Sequence, residues 1–153
     1  PEAKVETTKG RIKAISVSKE KGTQKSNVPR AELKAGFGVI GDAHSGKWHR
    51  QVSLLAIESI DKMVAKGAKV GPGSFAENIA TEGIDLLNLA VGGKLKLGRF
   101  VKLEITQFGK RCHSHCEIFE QSGNCIMPRE GVFAKVITSG QINVGDIIEV
   151  VND

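Results

Sequence analysis

The chain of 153 residues has no tyrosine, one tryptophan and three cysteines, and each shortage excludes something. An odd, sparse set of cysteines is unlike the dense even set of a secreted disulfide scaffold. Reduced thiols that pack, bind metal or react are the expectation instead. No stretch approaches the length of a membrane span, about 18 apolar residues. The opening residues Pro1-Glu2-Ala3-Lys4 lack the apolar core of a signal peptide. Both points are read as a cytoplasmic protein with no membrane partner. No long Lys/Arg run occurs, and few aromatics lie among the basic residues. Nucleic acid is therefore not an expected partner, although the net charge is +5 and the pI about 9.2.

What is present suits one globular domain over residues 1–153. Hydrophobic residues make up 40% and charged residues 25%, enough apolar material for one core at this length. The 18 glycines predict a turn-rich, β-rich chain. Arg11 to Val17 alternates as a half-buried strand. Ser18 to Pro29, polar and rich in Lys, Gly and Ser, reads as an exposed loop. Val52 to Ala56 is a short apolar strand. Ile57, Ile60, Met63 and Val64 then recur at helical spacing, predicting a helix from Ala56 to Lys66 with Gly67 as its stop. Phe75 to Thr81 fits a strand or a tight loop. Lys94 to Leu97 and Val101 to Ile105 alternate on either side of Gly98-Arg99, the pattern of a β-hairpin. Val132 to Ile137 reads as a strand, Gly140 to Gly145 as a turn, and Ile147 to Val151 as the last strand. The sum is a mainly β, barrel-like fold of about seven or eight short strands with one or two helices.

Chemistry concentrates in Lys110-Arg111-Cys112-His113-Ser114-His115-Cys116, where two thiols and two imidazoles fall within five residues, with Cys125 nine residues further on. Thiolate is both the nucleophile and the soft metal ligand, and the adjacent cations Lys110 and Arg111 favour it. Three readings compete. Cys112 and Cys116, with Cys125 and His113 or His115, can build a small structural zinc site, but a second Cys-x-x-Cys knuckle is absent. The cysteines can be inert packed residues. Or one of them binds a soft transition metal or carries sulfur.

A second constellation is Gly41-Asp42-Ala43-His44 with Lys47, His49 and Arg50. Asp and His can bind metal or share a proton, and Arg50 and Lys47 can hold a phosphate. A polar loop with a salt bridge explains the same residues equally well. A third is Phe75-Ala76-Glu77-Asn78-Ile79, where Asn78 can fix a turn through its own backbone or reach a ligand.

Together and in this order, these segments, with Arg50-Gln51-Val52-Ser53-Leu54, Gly83-Ile84-Asp85-Leu86, Gly92 to Gly98 and Gly140 to Asp146, resemble the MOSC family. This is the C-terminal domain type of molybdenum cofactor sulfurases, and it also occurs as stand-alone bacterial proteins. The resemblance implies a mostly β barrel-like fold and a molybdenum–molybdopterin cofactor. It implies a functional cysteine after the central hairpin: Cys116, which precedes the apolar pair Ile118 and Phe119, with Cys112 as second candidate. It also implies that Asp85 falls near the metal, and that Arg50 and Asn78 shape the pocket or touch the pterin. Lys47, Arg111 and His44 complete the expected cofactor-binding set. Pyridoxal phosphate binding is associated with the family, but the Schiff-base lysine domain of full sulfurases has no counterpart here. The role so implied is cofactor binding or sulfur carriage, with molybdopterin or a sulfur-donor protein as partner. The alternatives are a molybdenum-dependent reductase of N-hydroxylated compounds served by an electron-donor protein, and the zinc-binding structural protein.

Overall fold

Alternation of apolar and polar residues builds most of this molecule. In Lys94-Leu95-Lys96-Leu97 both leucines have no exposed surface while the lysines point outward. The computed structural model describes residues 8–21, 23–109 and 126–151. In chain order the strands are β1 (Lys9–Val17), β2 (Ser26–Val28), β3 (Arg30–Lys34), β4 (Gly38–Val39) and β5 (Val52–Ala56). They continue with β6 (Ile79–Glu82), β7 (Lys94–Leu97), β8 (Val101–Phe108), β9 (Val132–Thr138), β10 (Gly140–Asn143) and β11 (Ile147–Val151). The helices among the described residues are α1 (Ile57–Ala65) and the short α2 (Met127–Glu130), with a 3-10 turn at Leu86–Asn88.

Seven strands close into a barrel in the order β1-β11-β7-β8-β9-β5-β6, with β6 returning to β1. Closure removes the sheet edges that would otherwise expose unpaired backbone groups. β2 adds to the far end of β1, and β10, β3 and β4 form a separate three-stranded sheet. The expected fold class is therefore the observed one.

Two apolar clusters lie on the two faces of the barrel wall. Ile12, Ile15, Leu54, Ile79, Leu95, Leu103, Ile105, Val132 and Ile148 belong to the interior cluster. Their neighbours Ala14, Leu55, Ala80 and Phe133 point the other way and pack under α1 and α2 with Ile57, Ile60, Met63 and Met127. Each fully buried Leu, Ile, Val, Phe or Met side chain contributes roughly 1.5–3 kcal/mol, and the alanines less.

β5 and β6 are parallel, so a crossover must join them, and α1 supplies it. Its apolar stripe is as expected for Ile57, Ile60 and Met63, but Val64 lies on the solvent side, 48% exposed. Gly67 ends the helix at φ +97°, a value favourable only for glycine, and its N–H bonds the Val64 carbonyl.

Two expectations need correction. The 18–29 stretch is not simply an exposed loop: it contains β2, and the Lys25 side chain has no exposed surface. Gly140 to Gly145 is strand before it is turn, because Gly140–Asn143 pairs with β3.

Candidate functional site

Site geometry begins at an irregularity in β8. Its ladder with β9 shifts register between Ile105 and Gln107, leaving Thr106 as the extra residue of a bulge. Bulges re-aim side chains where they occur. The Thr106 hydroxyl lies on the carbonyl oxygens of His49 and Phe133, pinning the chain that enters β5. Gln107 is turned toward the same chain. Its amide nitrogen donates to the Gly109 carbonyl at 2.6 Å, so its oxygen faces His49 Nε2, also at 2.6 Å, and accepts that hydrogen. The hydrogen bonds His49–Gln107–Gly109 thus run to the last described residue before the cysteine segment.

Next to His49 stands an aromatic and cationic stack. The Arg50 guanidinium lies 4.6 Å from the Trp48 ring centre and 5.8 Å from that of Phe133. The Lys21 ammonium lies 4.7 Å from the same indole. His44 is parallel to Trp48, with centroids 6.4 Å apart and planes at 3°. The indole N–H donates to the His44 carbonyl at 2.7 Å, which fixes the stack. Arg50 forms no ion pair among the described residues, and its buried Nε has no hydrogen-bond partner. An arginine held by aromatic faces instead of a carboxylate keeps its donors for an incoming anion. Lys47, which precedes Trp48 in the chain, is exposed.

Beneath lies a buried ion pair. Lys25 Nζ is 2.8 Å from Asp42 Oδ1, and neither side chain has exposed surface. Lys25 also donates to the Ser18 hydroxyl at 2.9 Å and reaches His44 Nδ1 at 3.1 Å. Asp42 further accepts the backbone N–H groups of Ser18 and His44, each at 3.0 Å. Burial alone would raise the Asp42 carboxyl, but its bonds to His44 and Lys25 outweigh that and hold it well below the ordinary carboxylate range. Of the two readings open for Asp42 and His44, the salt-bridged loop describes Asp42. Its partner is Lys25, which the spacing of residues 41–50 does not disclose.

The Phe75 to Ile79 segment is structural in its geometry. Asn78 is fully buried. Its side chain donates to the Ser16 carbonyl at 3.1 Å and accepts from the Ser53 N–H at 3.0 Å, tying β1 and β5 to the start of β6. Glu77, equally buried, accepts the N–H groups of Gly73 at 2.5 Å and Phe75 at 3.2 Å. Burial pushes its carboxyl up to about 7, against the pull of those N–H groups and of Lys25.

The structure therefore gathers His44, Lys47 and Arg50 into one region, with Trp48, His49 and Gln107 added. Asp85 is not part of it. β5 and β6 run parallel from the Arg50 end to the Ala56–Thr81 end, and Asp85 follows β6. There it accepts from the Asn88 amide and lines an open groove with Glu58, Lys62, Leu87 and Glu130, about 530 Å³ in volume. Cys112, Cys116, Cys125, His113, His115 and Arg111 lie outside the described residues. Among the described residues no group of three or more His, Cys, Asp or Glu side chains is placed to hold a metal, and no helix is long and apolar enough to cross a membrane. Of the residues missed in the sequence, Trp48 carried a signal as the only tryptophan, set among Lys47, His49 and Arg50.

A closed seven-stranded barrel with a helical crossover and a basic aromatic site at one end defines the class. Known proteins then specify it. The MOSC domain matches residues 41–149, most of the chain and the site residues from Asp42 to Gln107, and the chain belongs to that family. Its fold is similar to the YUAD protein from Bacillus subtilis, with a TM-score of 0.77 and 18% identity, covering 93% of this chain and 95% of that one. It is also similar to YiiM from Geobacillus stearothermophilus, with a TM-score of 0.72, 17% identity, and coverage of 94% and 75%. YiiM from Escherichia coli gives a TM-score of 0.66, 18% identity, and coverage of 94% and 70%. At these identities the likeness speaks for the fold. No curated protein matches the chain in sequence.

Proposed function

We propose that this domain handles the molybdenum–molybdopterin cofactor or its sulfur, binding the anionic end of the cofactor at His44, Lys47, Trp48 and Arg50. Cys116, with Cys112 as the second candidate, is the thiol that takes the metal or the sulfur. The observation that carries this reading is Arg50: a guanidinium packed on Trp48 with a buried, unpartnered Nε. An unpaired buried donor is costly unless a ligand completes it, and a phosphate-bearing group suits a guanidinium. The site's residues therefore fit the group that the family implies.

Two further facts agree. Membership of the MOSC family supports a role connected with the molybdenum cofactor. The His49–Gln107–Gly109 hydrogen bonds tie the anion site to Gly109, the residue after which the cysteine segment begins in sequence. When bound, the cofactor supplies a redox-active metal. The residues described here bind and orient its anionic end. Asp85 has no part in this reading, because it follows the opposite end of β6.

The test is native mass spectrometry with elemental analysis on protein made in a molybdopterin-competent host, comparing wild type with Cys116→Ser and Cys112→Ser. Molybdenum–pterin or an extra sulfur that disappears with Cys116→Ser is the expected result. Stoichiometric zinc alone overturns it in favour of the structural-metal reading. So does a wild type that binds nothing and matches both variants. Turnover of an N-hydroxylated compound only with cofactor and an electron donor would make the domain a reductase component.

A further inference from the structure

His44 is held at three points. Its backbone N–H donates to Asp42 Oδ2 at 3.0 Å, its carbonyl accepts the Trp48 indole N–H at 2.7 Å, and its Nδ1 lies 3.1 Å from the Lys25 ammonium. Nδ1 also lies 3.7 Å from Asp42 Oδ2, beyond hydrogen-bond reach, so the contact with Lys25 decides what this nitrogen presents. Lys25, ion-paired to Asp42 at 2.8 Å, is an ammonium, which has hydrogens to donate and no lone pair to accept with. Nδ1 must therefore present its lone pair, and the hydrogen of a neutral imidazole then resides on Nε2. Nε2 has no hydrogen-bond partner among the described residues. The ring itself is kept parallel to Trp48, the indole on which Arg50 packs.

We propose that Lys25 is a positioning residue that fixes His44 in the tautomer with hydrogen on Nε2, so that this N–H joins Arg50 as a directed donor to the bound anion. The inference rests on the anion-site reading above, but the tautomer can be read without any ligand. An imidazole free to choose would offer either a donor or an acceptor at Nε2, and an acceptor would repel an anion. Lys25 removes that choice from a position with no access to solvent, acting through His44 and not on the ligand.

The experiment is nitrogen-15 NMR of the His44 ring at pH 7 in wild type and Lys25→Met, with inorganic phosphate titrated into both and followed by the fluorescence of Trp48. That residue is the only tryptophan, so the signal reports this site alone. Expected in wild type is the Nε2–H tautomer as a single species. In Lys25→Met the tautomers should mix, and phosphate binding should weaken roughly tenfold, the equivalent of one hydrogen bond to a charged group. Should Lys25→Met not fold, the wild-type spectrum decides alone, since an Nδ1–H or doubly protonated ring there overturns the proposal. A folded Lys25→Met with wild-type tautomer and affinity overturns it too. If wild type shows the Nε2–H tautomer yet phosphate leaves Trp48 unchanged, the anion reading fails and the control of His44 by Lys25 stands.

Discussion

Lys25 and Asp42 face each other across 2.8 Å with no solvent access to either side chain, joining the strand pair β1–β2 to the loop that carries His44 and Arg50. A buried pair of this kind is weak evidence for net stability, but breaking it leaves a charge stranded, at a typical cost of about 3–5 kcal/mol. Lys25→Met is expected to lose that much in urea denaturation. Adding Asp42→Asn to it should restore part of the loss, because asparagine removes the uncompensated charge, although it keeps an acceptor for only one of the N–H groups of Ser18 and His44, which bond different oxygens of Asp42. A double variant no more stable than Lys25→Met would show that these two side chains are not energetically coupled.

The two buried carboxylates give opposite pH dependences. Asp42 is held below its ordinary 3.8, so its contribution is complete above that value and is lost as the pH falls below it. Glu77 is raised from 4.5 to about 7. Between those values the folded protein binds more protons than the unfolded chain, so this stabilisation is complete below 4.5 and declines as the pH rises to 7. The full difference amounts to about 3 kcal/mol. Glu77→Gln, neutral throughout, should lack the decline. Denaturant midpoints measured between pH 4.5 and 7.5 for both proteins check this, and equal slopes would remove Glu77 as the cause.

How much of this was legible in the sequence depends on the range of the interaction. The hairpin β7–β8, the helix α1 and the last strand β11 are written in local periodicity, and each stands where that periodicity puts it. Lys25 is not, because its neighbours Gln24, Ser26 and Asn27 are those of an exposed turn and its partner lies 17 residues away. Nothing local distinguishes a buried ammonium from a solvated one. Asn78 stood out as a polar residue in an apolar run, but sequence does not say that it bonds Ser16 and Ser53 instead of its own backbone. Asp85 was placed by resemblance alone, and strand direction decides its position: parallel pairing of β5 and β6 carries it away from Arg50. The basic character of the second site was legible in Lys47, His49 and Arg50. The stacking on Trp48 required the fold.

Gly109 ends the described chain before the cysteine segment, and its backbone is confined on both sides. Its N–H donates to the Gly131 carbonyl at 2.7 Å, its φ is +64°, and a Cβ there would stand 2.3 Å from the Pro128 carbonyl oxygen. Gly36 offers a control: its φ is +71°, but a Cβ would meet nothing within 4 Å. Gly36→Ala should therefore cost about 1–2 kcal/mol from backbone strain alone. Gly109→Ala should cost distinctly more, since α2 must also move. Thermal unfolding of the two variants separates strain from collision, and equal losses would mean that the contact with Pro128 relaxes freely.

Arg50→Lys keeps the charge of the site and removes its geometry. A guanidinium lies flat on an indole and offers a planar fork of donors, whereas an ammonium is a compact, strongly hydrated point charge. With Arg50 at 4.6 Å from the Trp48 centre and only partly buried, the substitution should cost no more than about 1 kcal/mol of stability, the scale of a partly exposed cation–π contact. Phosphate binding read by Trp48 fluorescence should weaken at least tenfold, because a two-pronged contact is replaced by a single charge. Arg50→Met, which removes charge and fork together, sets the lower limit of the scale. If Arg50→Lys binds phosphate as well as wild type while Arg50→Met does not, the site attracts anions by charge alone. The stack on Trp48 would then serve to pack the loop and not to shape the ligand's seat.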